Sequence, residues 1–122
     1  MKYFFAAMLL TTPLVFAQNA PKEFPVDSVE LAEPAMQDAF AGKIYAVKLP
    51  NGTSWKWDFR SNVYYYFNTS DGFSDTGKWN IKETKLCTEG RKINASCNEI
   101  RKLGDILNYK RDNGDVVTMT PQ

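Results

Sequence analysis

The sequence predicts a mainly β protein: a small antiparallel meander of about eight strands, curled into a barrel or a curved sheet, with one short N-terminal helix. Three observations predict it. From Gly42 onward, hydrophobicity alternates with period two in short runs. Turn residues such as Pro50-Asn51-Gly52, Ser70-Asp71-Gly72 and Asn113-Gly114 separate those runs. None of the separations is long enough for the crossover that parallel pairing needs. A sheet of this kind must hide its edges, and closing on itself is the economical way.

The chain has 122 residues, enough for one domain. Its start does not fit the fold. Lys2 supplies a positive charge, Phe4 to Phe16 is apolar apart from Thr11, Thr12 and Pro13, and Val15-Phe16-Ala17 suits a signal-peptidase site. Residues 1–17 are therefore expected to be a secretory signal peptide. The run is short of the roughly 20 apolar residues that span a bilayer, and no later stretch reaches that length. Residues 18–26 hold Pro21 and Pro25 with no periodic pattern and read as a flexible leader. Residues 27–122 form the single β-rich domain.

The elements follow in order. Over 33–41, Pro34 suits a first helical turn, Met36, Ala39 and Phe40 share a face, and Gly42 suits the position after the last turn. The stripe is narrow, so this helix is expected to plug something larger. Strands are expected at 43–49, 54–60, 63–68, 77–82, 84–88, 96–102, 105–111 and 116–119. In the aromatic run "WKWDFRSNVYYYF", alternation puts Trp55, Trp57, Phe59, Val63, Tyr65 and Phe67 on the inward register, with Trp79 and Ile81 joining them later. A small barrel has an interior that side chains can fill, so these rings read first as core. Tyr64 and Tyr66 fall on the outward register. There they suit either a binding surface or ordinary cross-strand pairing.

Cys87 and Cys97 are the two cysteines, and an even count in an exported small domain reads as one disulfide pinning a hairpin. Zinc would need more Cys or His ligands, and the chain has no His. No metal or other cofactor is expected. The same lack removes the usual general base and any Ser-His-Asp or Cys-His nucleophile. No phosphate-binding glycine loop is present. A carboxylate pair drawn from Asp58, Asp71, Asp75 and Glu83 is the remaining catalytic option, as in a cell-wall hydrolase, although Asp71 and Asp75 read more simply as turn residues. Lys and Arg total 15 against 14 acids, which gives no case for a nucleic-acid partner. The charges are segregated, however. Glu23, Asp27, Glu30, Glu33 and Asp38 crowd the N-terminal part, whereas residues 78–111 are predominantly basic.

The stretches "AFAGKIY" and "GKWNIKETKLC", followed by Cys97, resemble in order the short exported proteobacterial proteins of unknown function that carry a G-x-W strand, an L-C strand and a second Cys one hairpin later. The resemblance covers about residues 33–119 and implies export and a β-barrel-like fold. This chain departs from it at Asn98, where members often carry an aromatic residue. Gly77-Lys78-Trp79 is also similar to the G-x-W of lipocalins and avidins. In lipocalins that motif lies on the first strand, and here it lies on about the fourth, so Trp79 reads as a plug of the barrel base. The resulting expectation is a periplasmic or secreted, non-catalytic binding module of a Gram-negative bacterium. Its first form binds a protein partner, inhibitor-like or envelope-associated, through Tyr64, Tyr66, Arg101 and Lys102, with Lys85, Arg91 and Lys92 nearby. Its alternative form takes a small apolar ligand against Trp55, Trp57, Tyr65 and Trp79.

Overall fold

The structure, a computed structural model, describes residues 20–122. The expected signal peptide lies outside the described residues. Helix α1 (Glu33–Phe40) precedes eight strands: β1 (Lys43–Lys48), β2 (Ser54–Phe59), β3 (Tyr64–Thr69), β4 (Ser74–Lys82), β5 (Lys85–Gly90), β6 (Ser96–Leu103), β7 (Ile106–Lys110) and β8 (Val116–Pro121). They pair antiparallel in chain order, and β8 pairs back onto β1 through Val47↔Met119, which closes the barrel. Closure leaves no free edge.

Neighbouring strands alternate in direction. The β2–β3, β4–β5 and β6–β7 turns therefore gather with α1 at one end, the base, and the other four turns ring the opposite end, the mouth. Met36 and Phe40 are one helical turn apart, and both are fully buried. Phe40 meets Phe59 at 4.9 Å and Trp79 at 6.3 Å between ring centroids, so the helix stoppers the base as its narrow stripe predicts. Burying two such side chains contributes about 1.5–3 kcal/mol each. Tyr45 ties the plug to β1 by donating its hydroxyl to the Ala39 carbonyl at 2.5 Å.

Trp79 is buried at the base, as its reading as a base plug requires. It also staples the β2–β3 turn. Its indole Nε1 donates to the Arg60 carbonyl at 2.9 Å, and its backbone N–H donates to the Val63 carbonyl at 2.9 Å. Here one expectation fails. Val63, placed inward by alternation, is 43% exposed with φ 69°. The turn takes one residue more than the pattern suggests, and the strand starts at Tyr64. Strand β4, in turn, begins three residues before the expected position, at Ser74.

Residues 18–26, expected as a flexible leader, are held where they are described. The Pro21 carbonyl accepts from Val116 N–H at 2.8 Å, and Lys22 Nζ lies 2.5 Å from Asp115 Oδ1. The Phe24 ring lies under the Arg101 and Lys110 side chains, at 4.7 and 5.9 Å from its centroid. Val29 exchanges two backbone hydrogen bonds with Lys102. The segment is a strap that runs down the outside of β6–β8 from mouth to base and delivers the chain to α1. Its apolar contacts and cation–π stacking replace the periodicity that the sequence lacks there.

Cys87 and Cys97 face each other across β5 and β6 and form the expected disulfide on the outward register, with Cα atoms 4.0 Å apart. A disulfide points to an oxidising compartment. Among the described residues, no helix is long and apolar enough to cross a membrane.

Candidate functional site

The inward register changes character from base to mouth. Along β4 it runs Ile81, Trp79, Gly77, Asp75. Along β5 it runs Leu86, Thr88, Gly90, along β6 from Ile100 to Asn98 and Ser96, and along β7 from Leu107 to Tyr109 and then Arg111. The base half is hydrocarbon and the mouth half is aromatic and polar. A cavity of about 380 Å³ opens there, between the β5–β6 and β7–β8 turns.

Trp55, Trp57, Tyr65, Phe67 and Tyr109 form its aromatic wall. The rings meet edge to face: Trp55–Phe67 at 5.3 Å and 64°, Trp57–Phe67 at 5.3 Å and 71°, Trp57–Tyr109 at 5.5 Å and 71°. Such interlocking keeps the wall rigid while leaving the space between β3 and β7 unfilled. Tyr65 lies across the barrel wall from Gly77, which in turn faces Gly90. Neither glycine tolerates a side chain. A Cβ on Gly77 would overlap the Glu89 carbonyl, and one on Gly90 would overlap Asp75 Oδ2 and come within 2.7 Å of the Tyr65 hydroxyl oxygen. The two glycines let Tyr65 and Asp75 pack inside the wall.

Polar groups complete the mouth. Asp75, although in a strand, is buried, and its carboxylate accepts the backbone N–H groups of Thr76 (2.9 Å), Lys92 (3.1 Å) and Ile93 (3.0 Å). It thereby ties the β5–β6 turn, whose Ile93 lines the cavity, to β4. Asn98 is also buried. Its Nδ2 donates to the Lys110 carbonyl at 2.9 Å and to Asp112 Oδ1 at 2.8 Å, while its Oδ1 accepts from the Ser96 hydroxyl at 3.0 Å. The Arg111 guanidinium lies 5.2 Å from the Trp55 ring centroid and 4.0 Å from Asp115 Oδ2. The Lys22 ammonium on the strap holds the Asp115 carboxyl below its usual range, through the hydrogen bond first and its charge second.

Burial pushes the Tyr65 phenol up to about 12, and the nearby Asp75 carboxylate adds to the shift. Burial also raises the Tyr109 phenol, with Asp112 adding and Arg111 opposing. Both hydroxyls thus stay protonated near neutral pH and can donate. Trp57 is 5% exposed, and its indole Nε1 is buried and finds no acceptor among the described residues.

The structure brings together some of the expected site residues and separates others. Trp55, Trp57 and Tyr65 share the cavity, whereas Trp79 is at the base and does not line it. Tyr64 and Tyr66 stand on the outer face of β3, 46% and 44% exposed, with Lys78 and Arg60 over their rings at 5.9 and 4.9 Å. Arg101 and Lys102 lie on β6, three strands along the barrel from β3, and both hold the strap. The four do not make one patch. Asp58 and Asp75 fall on opposite registers of the sheet, Asp58 opposite outward Tyr66 and Asp75 opposite inward Phe67, so they do not share a site. Asp58 instead pairs with Arg60 at 3.2 Å. Asp71 accepts from the Thr69 hydroxyl, which, with the Phe73 backbone, holds its carboxyl below the usual range; this is turn chemistry, as expected.

Thr88, Ser96, Tyr109 and Arg111–Asn113 were not singled out from the sequence. For Thr88, Ser96, Tyr109 and Arg111 the signal is a polar or aromatic residue two or four places along the inward register from Leu86, Ile100 and Leu107; Asp112 and Asn113 follow in the β7–β8 turn. No protein-family model, no curated protein and no solved structure matches the chain.

Proposed function

We propose that the protein is a non-catalytic binding module, exported to the periplasm or beyond, that takes a small and mainly apolar ligand into the mouth of its barrel. The observation that carries this reading is the cavity of about 380 Å³ at the end opposite α1, with a rigid aromatic wall and a few convergent polar groups. Ligand pockets typically measure about 300–1,000 Å³, have this mixed lining and favour barrel mouths. A protein-binding surface has less support, because Tyr64 and Tyr66 are remote from Arg101 and Lys102, and the latter two are engaged by the strap.

The test is a titration of the mature protein with N-phenyl-1-naphthylamine, a neutral apolar fluorophore, followed by tryptophan quenching and probe emission. Saturable 1:1 binding is expected. Thr88→Phe, which fills the cavity from its wall, should abolish it, and Tyr66→Ser should leave it intact. Absence of binding, or binding equal in Thr88→Phe, would overturn the reading.

A further inference from the structure

A second surface stands apart from the mouth and does not depend on it. The outward register of β2–β4 carries Lys56 and Asp58 on β2, Tyr64, Tyr66 and Asn68 on β3, and Ser74, Thr76 and Lys78 on β4, with Arg60 just past the end of β2. The β5–β6 turn leans over the mouth end of this wall. Its Arg91 N–H donates to the Thr76 carbonyl at 3.0 Å, and its Lys92 Nζ donates to the Ser74 carbonyl at 2.8 Å. An open groove of about 590 Å³ runs between turn and wall. Tyr66, Asn68, Ser74 and Thr76 make its floor, and Arg91 and Lys92 stand at its side. At ~3.3 Å per residue, the wall from Tyr64 to Asn68 is about 13 Å long.

Cations surround this neutral floor. Lys56 lies beside Asn68 and Lys78 beside Tyr64 across the ladder. The Arg60 guanidinium lies 4.9 Å from the Tyr66 ring centroid, the Lys78 ammonium 5.9 Å from that of Tyr64, and the Lys92 ammonium 5.3 Å from that of Phe73. Stacking of this kind holds long side chains in place, so they lose less freedom on meeting an anion. Among the described residues, Arg60 alone of this set forms a salt bridge, to Asp58. Glu89, opposite Lys78, and Asp71, engaged by Thr69, are the other exposed acids nearby. Asp75 borders the groove, but its side chain is 5% exposed and its carboxylate is taken up by three backbone N–H groups. The acids that balance the chain's charge are elsewhere: Glu23, Asp27 and Glu30 on the strap across the barrel, Glu33 and Asp38 on α1 at the base.

Shape and compartment select among polyanions. The barrel has no free edge for an added strand, and the floor offers no aliphatic anchor for a helix, the common ways of gripping a peptide. A flat bilayer does not reach the floor of a groove walled by a turn. The Cys87–Cys97 disulfide points to an oxidising compartment, away from the cell's nucleic acid. An acidic sugar chain meets every feature. Its carboxylates suit the Arg and Lys groups, and its hydroxyls suit a floor of amide, hydroxyl and phenol groups that both donate and accept.

We propose that the groove on the outer wall of β3–β4 binds an acidic polysaccharide, with its carboxylates against Arg60, Lys78, Arg91 and Lys92 and its hydroxyls against the floor.

The experiment is calorimetry on the mature chain at low ionic strength. The probes are hexagalacturonate, which bears a carboxylate on every ring, its uncharged methyl ester, polyglutamate, oligothymidylate and phosphatidylglycerol vesicles. Hexagalacturonate should bind saturably, about tenfold or more tighter than the ester, and should weaken as salt rises. In proton–nitrogen spectra the amide signals of Tyr66, Asn68, Ser74 and Thr76 should shift, and those of Ser96 and Tyr109 inside the mouth should not. Lys78→Gln combined with Arg91→Gln should weaken binding about tenfold with an unchanged circular dichroism spectrum. Where that variant fails to fold, the shifts on the unaltered chain decide. Absence of binding, equal binding of acid and ester, unmoved groove amides, or full affinity in a folded double variant would overturn the proposal. Tighter binding of polyglutamate, oligothymidylate or vesicles would overturn it in favour of that polyanion.

Discussion

Asp75 is the residue on which the architecture of the mouth makes its sharpest demand. Replacing it by Ala removes one buried carboxylate and leaves the N–H groups of Thr76, Lys92 and Ile93 without their acceptor. Hydrogen bonds to a charged group contribute about 1.5–3 kcal/mol each, and these lie at the low end because the β5–β6 turn is partly open to water. The expected loss for Asp75→Ala is therefore roughly 3–4 kcal/mol, below the plain sum because the three share one partner. Asp75→Asn keeps one acceptor and turns the other oxygen into a donor facing Ile93 or Lys92, so roughly 1–2 kcal/mol is expected. Urea unfolding at neutral pH, followed by tryptophan fluorescence, measures both. Hydrogen exchange at Lys92 and Ile93 should accelerate in both variants, and ligand binding should weaken as the Ile93 wall loosens. The phenol of Tyr65 should ionise at lower pH in Asp75→Asn, because the carboxylate that adds to its shift is gone. A loss under 0.5 kcal/mol in Asp75→Ala, or unchanged protection at positions 92 and 93, would refute the view that this carboxylate builds the mouth.

Three further outcomes are expected. Val63→Asn should stabilise the protein by about 1 kcal/mol in the same urea assay, because a β-branched residue at φ 69° carries strain that Asn does not. Replacing Cys87 and Cys97 together by Ser should cost about 2–3 kcal/mol, the chain-entropy value for a short loop, and should leave the native fold intact by circular dichroism. Alkaline stability should fall in a defined window. Burial first of all pushes Tyr45 and Tyr65 up to about 12 and raises Tyr109 as well. The fold therefore favours the protonated phenols: this stability is fully present below about pH 10, where the unfolded chain titrates, and is lost as pH rises toward 12. Tyr45 and Tyr65 should each account for about 2 kcal/mol at pH 12, measured as a falling urea midpoint.

Much of the barrel was legible because period-two alternation and turn chemistry agree over most of the chain. The helix, the strand count, the disulfide and the base position of Trp79 all follow from residue types at fixed spacing. What was not legible depended on partners distant in sequence. Ser74, Asp75 and Thr76 read as loop, yet they extend β4 because the β5–β6 turn supplies two amides, those of Lys92 and Ile93, to the Asp75 carboxylate. Val63 fits the alternation and is nevertheless the left-handed residue of a turn, held there by Trp79 from β4. The strap has no periodicity because its contacts are single ones: Lys22 to Asp115, Phe24 under Arg101, Val29 to Lys102. The candidate site was half visible. The aromatic residues stand out in the sequence, whereas the polar residues that turn them from a core into a mouth emerge only once the inward register is followed to the strand ends.

The most direct test of the central claim uses the three tryptophans, which are distributed between the two ends of the barrel. Trp55 and Trp57 line the mouth, and Trp79 is fixed at the base by its bond to the Arg60 carbonyl. Two-dimensional proton–nitrogen spectra resolve the three indole signals, recorded on the free protein and with saturating N-phenyl-1-naphthylamine. A ligand in the mouth should shift the Trp55 and Trp57 signals and leave Trp79 in place. Saturation without movement of Trp55 or Trp57, or movement centred on Trp79, would contradict a binding site at the open end of the barrel.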